Sequence, residues 1–121
     1  MFAKESGLLQ GTVELLILKA LSWGPIHGYG IASWIESATD DVLSVEEGSL
    51  YPALYPALHR MEHRGLIAAE WGVTENNRRA KYYHLTAEGR RQFRDQTTGW
   101  QRFAGAVTQA ITTRAIPSWA K

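Results

Sequence analysis

Between Ser44 and Gly65 the chain carries a leucine stripe that few folds accommodate: Leu50, Leu54, Leu58 and Met61 recur at spacings of four and three. That spacing sets them on one side of a helix, and a one-sided apolar stripe has to be buried against other elements. Ser44-Val45-Glu46-Glu47 ahead of it has the form of a capping box, in which a serine oxygen and a glutamate carboxylate satisfy free amides of the first turn. Arg64-Gly65 closes the segment, glycine being the residue that takes a left-handed terminal conformation without penalty. Within it, Tyr51-Pro52-Ala53-Leu54 is succeeded at once by Tyr55-Pro56-Ala57-Leu58, a tandem copy. Four helical residues add about 6 Å and rotate the remainder of the helix by about 40°, so the leucines stay aligned across the repeat. An interior proline removes one hydrogen bond and presses on the carbonyl four residues back, at about 3 kcal/mol. The expectation is one continuous helix, bent or frayed, with the extra turn absorbed at its N-terminal end. A bulged loop that keeps the register from His59 onward is the alternative.

The flanking segments obey the same logic. Leu8 to Trp23 is apolar over a broad face and is stopped by Gly24-Pro25, as in a mostly buried helix. Gly28 to Ala38 fits a second helix with Tyr29, Ile31, Ala32 and Ile35 inward, ending at Thr39-Asp40-Asp41. After Gly65, a short strand at Leu66–Trp71 and another at Tyr82–Leu85 enclose the polar stretch 72–81, whose turn falls at Asn76-Asn77. Thr86-Ala87-Glu88-Gly89 then starts a last helix with Phe93, Trp100, Phe103, Ala104, Val107, Ala110 and Ile111 apolar, closed by Pro117. Such a helix of about 28 residues is about 42 Å long. Nothing else in the chain covers its stripe over that length, and a second copy is the simplest cover, so a homodimer is expected.

Three helices and then a hairpin give a mainly α fold with a small β-hairpin. The order is that of a winged helix-turn-helix over residues 1–85, with a C-terminal dimerisation helix and tail over 86–121. The 121 residues, 45% hydrophobic, suffice for one core. No run approaches 18 apolar residues and no leader pattern opens the chain, so no membrane partner is expected. The absence of cysteine excludes disulfides and thiolate zinc sites, and a cytoplasmic setting is expected. The net charge of +1 conceals segregation: residues 1–58 hold two basic against seven acidic side chains, whereas 59–94 hold eight against four. A segregated basic patch attracts a polyanion that the total hides.

Other motifs lead elsewhere only in part. His59-Arg60-Met61-Glu62-His63 spells the zinc-peptidase string H-x-x-E-H, with both histidines on one helix face. It stands at the end of a helix that leads into a hairpin, with no acidic ligand helix downstream, so a solvated face is expected, with no metal and no cofactor. No strand is expected ahead of Gly28-x-Gly30, which removes the dinucleotide-loop context. Asp40-Asp41 with Glu46-Glu47 suit the positive end of a helix. No nucleophile–base arrangement is evident, and no enzyme is expected.

Five motifs in order carry a resemblance: Leu9-Gln10-Gly11-Thr12; His27-Gly28-Tyr29-Gly30; Gly48-Ser49-Leu50-Tyr51-Pro52-Ala53-Leu54; Arg64-Gly65-Leu66-Ile67; and Tyr82-Tyr83-His84-Leu85-Thr86-Ala87-Glu88-Gly89. Together, over about residues 8–95, the chain resembles the PadR family of bacterial transcriptional regulators, of the short-tailed type with a single C-terminal helix. The resemblance implies a dimeric repressor on an inverted-repeat operator in double-stranded DNA, released by a small aromatic or hydrophobic effector. In such an architecture the third helix enters the major groove and the wing reaches the backbone or minor groove. Ser49, Tyr51 and Pro52 match the family's DNA-facing positions. Family members carry the tandem segment once, so Tyr55 and Pro56 are alternative occupants of the places of Tyr51 and Pro52. Arg60 and Arg64 lie on the same helix, as contacts or as its polar face. Asn76, Asn77, Arg78, Arg79 and Lys81 read as wing contacts to phosphate. Phe93, Trp100, Phe103 and Val107 read as an effector pocket or a dimer interface. The second reading is a winged-helix protein-interaction module whose DNA binding the duplication has weakened.

Overall fold

The computed structural model describes residues 6–44 and 50–120. Helix α1 (Ser6–Leu21) is central, with Val13, Ile17, Leu18 and Leu21 fully inside and every other helix packed on it. The chain leaves it through Gly24, whose φ of +145° only glycine adopts without strain. Two extended residues, β1 (Ile26–His27), lead straight into α2 (Gly28–Ala38). His27 caps that helix: its Nδ1 accepts from the Gly30 amide at 3.0 Å. Ile31, Ala32 and Ile35 are buried as expected, but Tyr29 is 65% exposed. At 100° per residue, position 29 stands about 160° from Ile31, on the opposite side of α2.

Helix α3 (Tyr51–His63) runs unbroken through Pro56 and buries Leu54, Ala57, Leu58 and Met61, with Leu50 buried just ahead of it. The leucine stripe is therefore core. The expected capping box falls on residues 45–47, which lie outside the described residues. The Ser44 hydroxyl donates to Glu36 Oε2 at 2.9 Å, fastening this segment to α2, and Leu50 in the N-cap position supplies no side-chain acceptor. Pro52 instead sits in the first turn, where the missing N–H has no partner to lose. Residues 45–49, with Glu46, Glu47 and Ser49, lie outside the described residues. The end is as expected: Gly65 takes φ +79°, the Leu66 amide donates to Met61 O at 2.9 Å and the Gly65 amide to Glu62 O at 3.1 Å.

The sheet has the order β1-β3-β2, with β2 (Ile67–Val73) and β3 (Arg79–Leu85) antiparallel and paired from Ile67↔Leu85 to Val73↔Arg79. Both strands extend further into the polar stretch than expected, because the ladder continues to the turn. Asn77 takes φ +61°, and the Thr74 amide donates to Arg78 O at 2.8 Å, closing a three-residue loop. The pairing of β1 with β3 was not anticipated, since two residues carry no periodicity.

Thr86 caps α4 (Ala87–Thr112), accepting from the Gly89 amide at 3.0 Å while donating to the carbonyl of Gly65 at 2.6 Å. Gly89 is buried under the Leu66 carbonyl, where a Cβ would stand 2.0 Å from the oxygen. The Arg64-Gly65-Leu66 and Thr86-Ala87-Glu88-Gly89 motifs thus meet at one joint. The 26 residues of α4 span about 39 Å. Its first turns pack on α1 and β3, and from Thr98 to its end Ala104 alone is not exposed.

Candidate nucleic-acid interface

With Leu54, Ala57, Leu58 and Met61 directed inward, the 100° rotation per residue sorts the rest of α3 into three strips. Opposite the core lie Pro52, Pro56, His59 and His63, all exposed. Arg60 and Arg64 fall on the flank toward α1, and Tyr55 and Glu62 on the flank toward the hairpin. The two prolines therefore face outward, where no side chain has to pack against them.

The α1 flank is closed by an ion-pair cluster. Arg60 Nε donates to Glu14 Oε2 at 3.2 Å and Arg64 donates to Glu14 Oε1 at 3.2 Å, with the Glu14 side chain only 9% exposed. The Arg60 guanidinium is turned to α1, because a nearly buried carboxylate across the seam requires charge compensation.

On the other flank the Tyr55 ring lies against the start of α2, where a Cβ on Gly28 would stand 2.9 Å from the phenol oxygen. Burial, and then the neighbouring Tyr83, raises the Tyr55 phenol above its ordinary 10.0. Burial likewise raises Tyr83, against the opposing effect of Lys81. Both phenols are therefore neutral donors at neutral pH.

The hairpin distributes its cations unequally. Arg79 stacks over the Trp71 ring at 4.4 Å, and Lys81 pairs with Glu62 at 3.3 Å. Arg78 stands exposed at the tip, its amide donating to Thr74 Oγ1 at 3.2 Å. Asn77 forms the left-handed turn and Asn76 is exposed beside it. An open cleft of about 1220 Å³ separates the hairpin from α2 and α3, lined by Tyr55, Asn76, Arg78, Arg79 and Lys81, with Tyr29 and Trp71. Five of the expected contact residues are thus gathered on one cleft, and Pro52 lies on the outer strip of α3. Ser49 and the side chain of Tyr51 lie outside the described residues.

Tyr29 and Trp71 were not expected at this surface, although period alone places both. Trp71 shares its strand face with Ile67 and Ala69, and Tyr29 is set opposite Ile31 on its helix. Glu14 had no such signal, because an acidic residue on a helix reads as solvated until its partners are known.

Along α4, Trp100, Phe103, Val107 and Ile111 form an exposed stripe at spacings of three and four, 41%, 58%, 43% and 76% accessible, with the Trp100 and Phe103 rings 6.1 Å apart. Phe93, expected to join them, packs against the core instead, with the Lys19 ammonium 6.0 Å from its ring. Two turns before Trp100 the same face of α4 is already covered by α1. Among the described residues no three His, Cys, Asp or Glu side chains are placed to hold a metal, and no helix is long and apolar enough to cross a membrane.

Residues 17–95 match the Transcriptional regulator PadR-like family. The chain is similar to a solved transcriptional regulator from Clostridium thermocellum, 28% identical over 85% of this chain and 96% of that one, with a TM-score of 0.70. It is also similar to a solved PadR-like transcriptional regulator from Bacillus cereus, 26% identical over 89% of this chain and 99% of that one, with a TM-score of 0.71. An uncharacterized protein of Lysinibacillus sphaericus is 24% identical over 95 residues, 78% of this chain and 84% of that protein.

Proposed function

Since the chain belongs to the PadR-like family of transcriptional regulators and is a DNA-binding regulator, we propose that it acts in the cytoplasm as a dimeric repressor, with α3 in the major groove of an inverted-repeat operator and the hairpin as its wing. The gathering of Tyr55, Asn76, Arg78, Arg79 and Lys81 on one cleft beside the exposed strip of α3 carries this reading. That surface joins a protruding helix to cations reaching past it, as base contact and phosphate contact require. Residues 1–85 form the DNA-binding unit, and the stripe of Trp100, Phe103 and Val107 on α4 is the dimer seam. A small aromatic or hydrophobic effector bound along that stripe releases the DNA.

Selection from a randomised duplex pool with the full chain, and then affinity against salt, tests the reading. A recovered inverted repeat and a steep fall of log K with log salt are expected. Salt-insensitive binding without site preference would favour the interaction-module reading instead.

A further inference from the structure

In the H-x-x-E-H string at the end of α3, Glu62 is held by Lys81 at 3.3 Å. The two histidines of the string occupy a particular place. His59 and His63 are one helical turn apart on the exposed strip opposite Leu54, Leu58 and Met61, in line with Pro52 and Pro56. Of these four side chains, the prolines carry no hydrogen-bonding group. The polar chemistry of the most protruding strip of α3 therefore rests on two imidazoles.

The charged side chains around them are engaged by groups of other elements. Arg60 and Arg64 are turned to Glu14 of α1, Glu62 is paired with Lys81 of β3, and Glu36 of α2 accepts from Ser44. Glu70 of β2 lies on the other face of the sheet from Trp71 and Lys81. The strip thus carries no permanent charge of its own, and its charge depends on the proton occupancy of two histidines.

We propose that His59 and His63 are specificity-determining contacts of this chain, donating to acceptor edges of purines in the major groove, and that DNA binding takes up protons there. This rests on α3 being the reading helix. A protonated imidazole offers two diverging N–H donors where a neutral one offers one, so one can meet guanine N7 or O6 while the other meets a second acceptor. Phosphates around the groove favour the charged form of an imidazole brought among them. Binding therefore raises proton affinity. The gain is complete at acid pH and is lost as pH rises through the range in which the DNA-bound imidazoles release their protons.

The full chain and the duplex recovered from the randomised pool at pH 6 provide the test, with affinity measured from about pH 6 to pH 8 at fixed salt. Wild type is expected to weaken about tenfold per histidine over that range. His59→Ala/His63→Ala should bind with a flattened pH profile and accept other bases at the purine positions. His27→Asn, which keeps a helix cap, and His84→Gln should retain the wild-type profile. Unchanged pH profile and site preference in the double variant would overturn the proposal. If Arg78→Ala weakens binding in that case, the α3-and-wing reading survives. If Arg78→Ala is silent too, that reading falls with it.

Discussion

Glu14 of α1 and Arg60 of α3, forty-six residues apart, meet at 3.2 Å across the seam between the two helices, with Arg64 on the other oxygen of the same carboxylate. The carboxylate is 9% exposed while its partners are 35% and 50% exposed, so the cluster stands between a surface pair and a buried one.

Glu14→Ala leaves two guanidinium groups facing an apolar seam. A loss of about 2 kcal/mol is expected, between the effects typical of exposed and buried pairs. Urea unfolding at neutral pH measures it. A change below about 0.5 kcal/mol would show the cluster to be incidental.

The joint at Thr86 and Gly89 should be less forgiving. Thr86→Ala removes a cap and should cost about 1 kcal/mol, most of it restored in Thr86→Ser. In Gly89→Ala the new Cβ would stand 2.0 Å from the Leu66 oxygen, and the backbone would have to shift at about 1–3 kcal/mol. Gly99→Ala, with nothing within 4 Å of the new atom, should raise stability by about 0.5–1 kcal/mol. Thermal unfolding of the four variants side by side checks the contrast.

Arg78→Ala at the wing tip should weaken binding to specific and nonspecific duplexes alike and lower the salt slope by about 1. Arg79→Ala should also free the Trp71 face. Affinity against salt for each variant decides whether the two arginines act on phosphate.

On α4, Phe103→Glu places a charge in the exposed stripe. If that stripe is the dimer seam, sedimentation at micromolar concentration should shift from dimer to monomer, while thermal unfolding of the wing domain is little changed. A variant that remains dimeric would move the seam elsewhere.

Period, turn chemistry and the glycine terminator were legible in the chain alone. The Leu50–Leu54–Leu58–Met61 stripe, the Gly65 terminator, the turn at Asn76-Asn77 and the helix start at Thr86-Ala87-Glu88-Gly89 each depend on residues within a few positions of one another. Such local preferences survive whatever surrounds them. Tertiary structure alone decided where long-range contacts fall. It turned Arg60 toward Glu14, covered Phe93 with α1 while leaving Trp100 bare, drew Ser44 to Glu36, and added β1 to the edge of β3. Each of these depends on a partner brought near by the packing of other helices, and nothing in the neighbouring sequence encodes that distance. The leucine stripe itself was legible from spacing, whereas the outer strip of α3 and the cleft beside it emerged only once the core had fixed which way the helix faces.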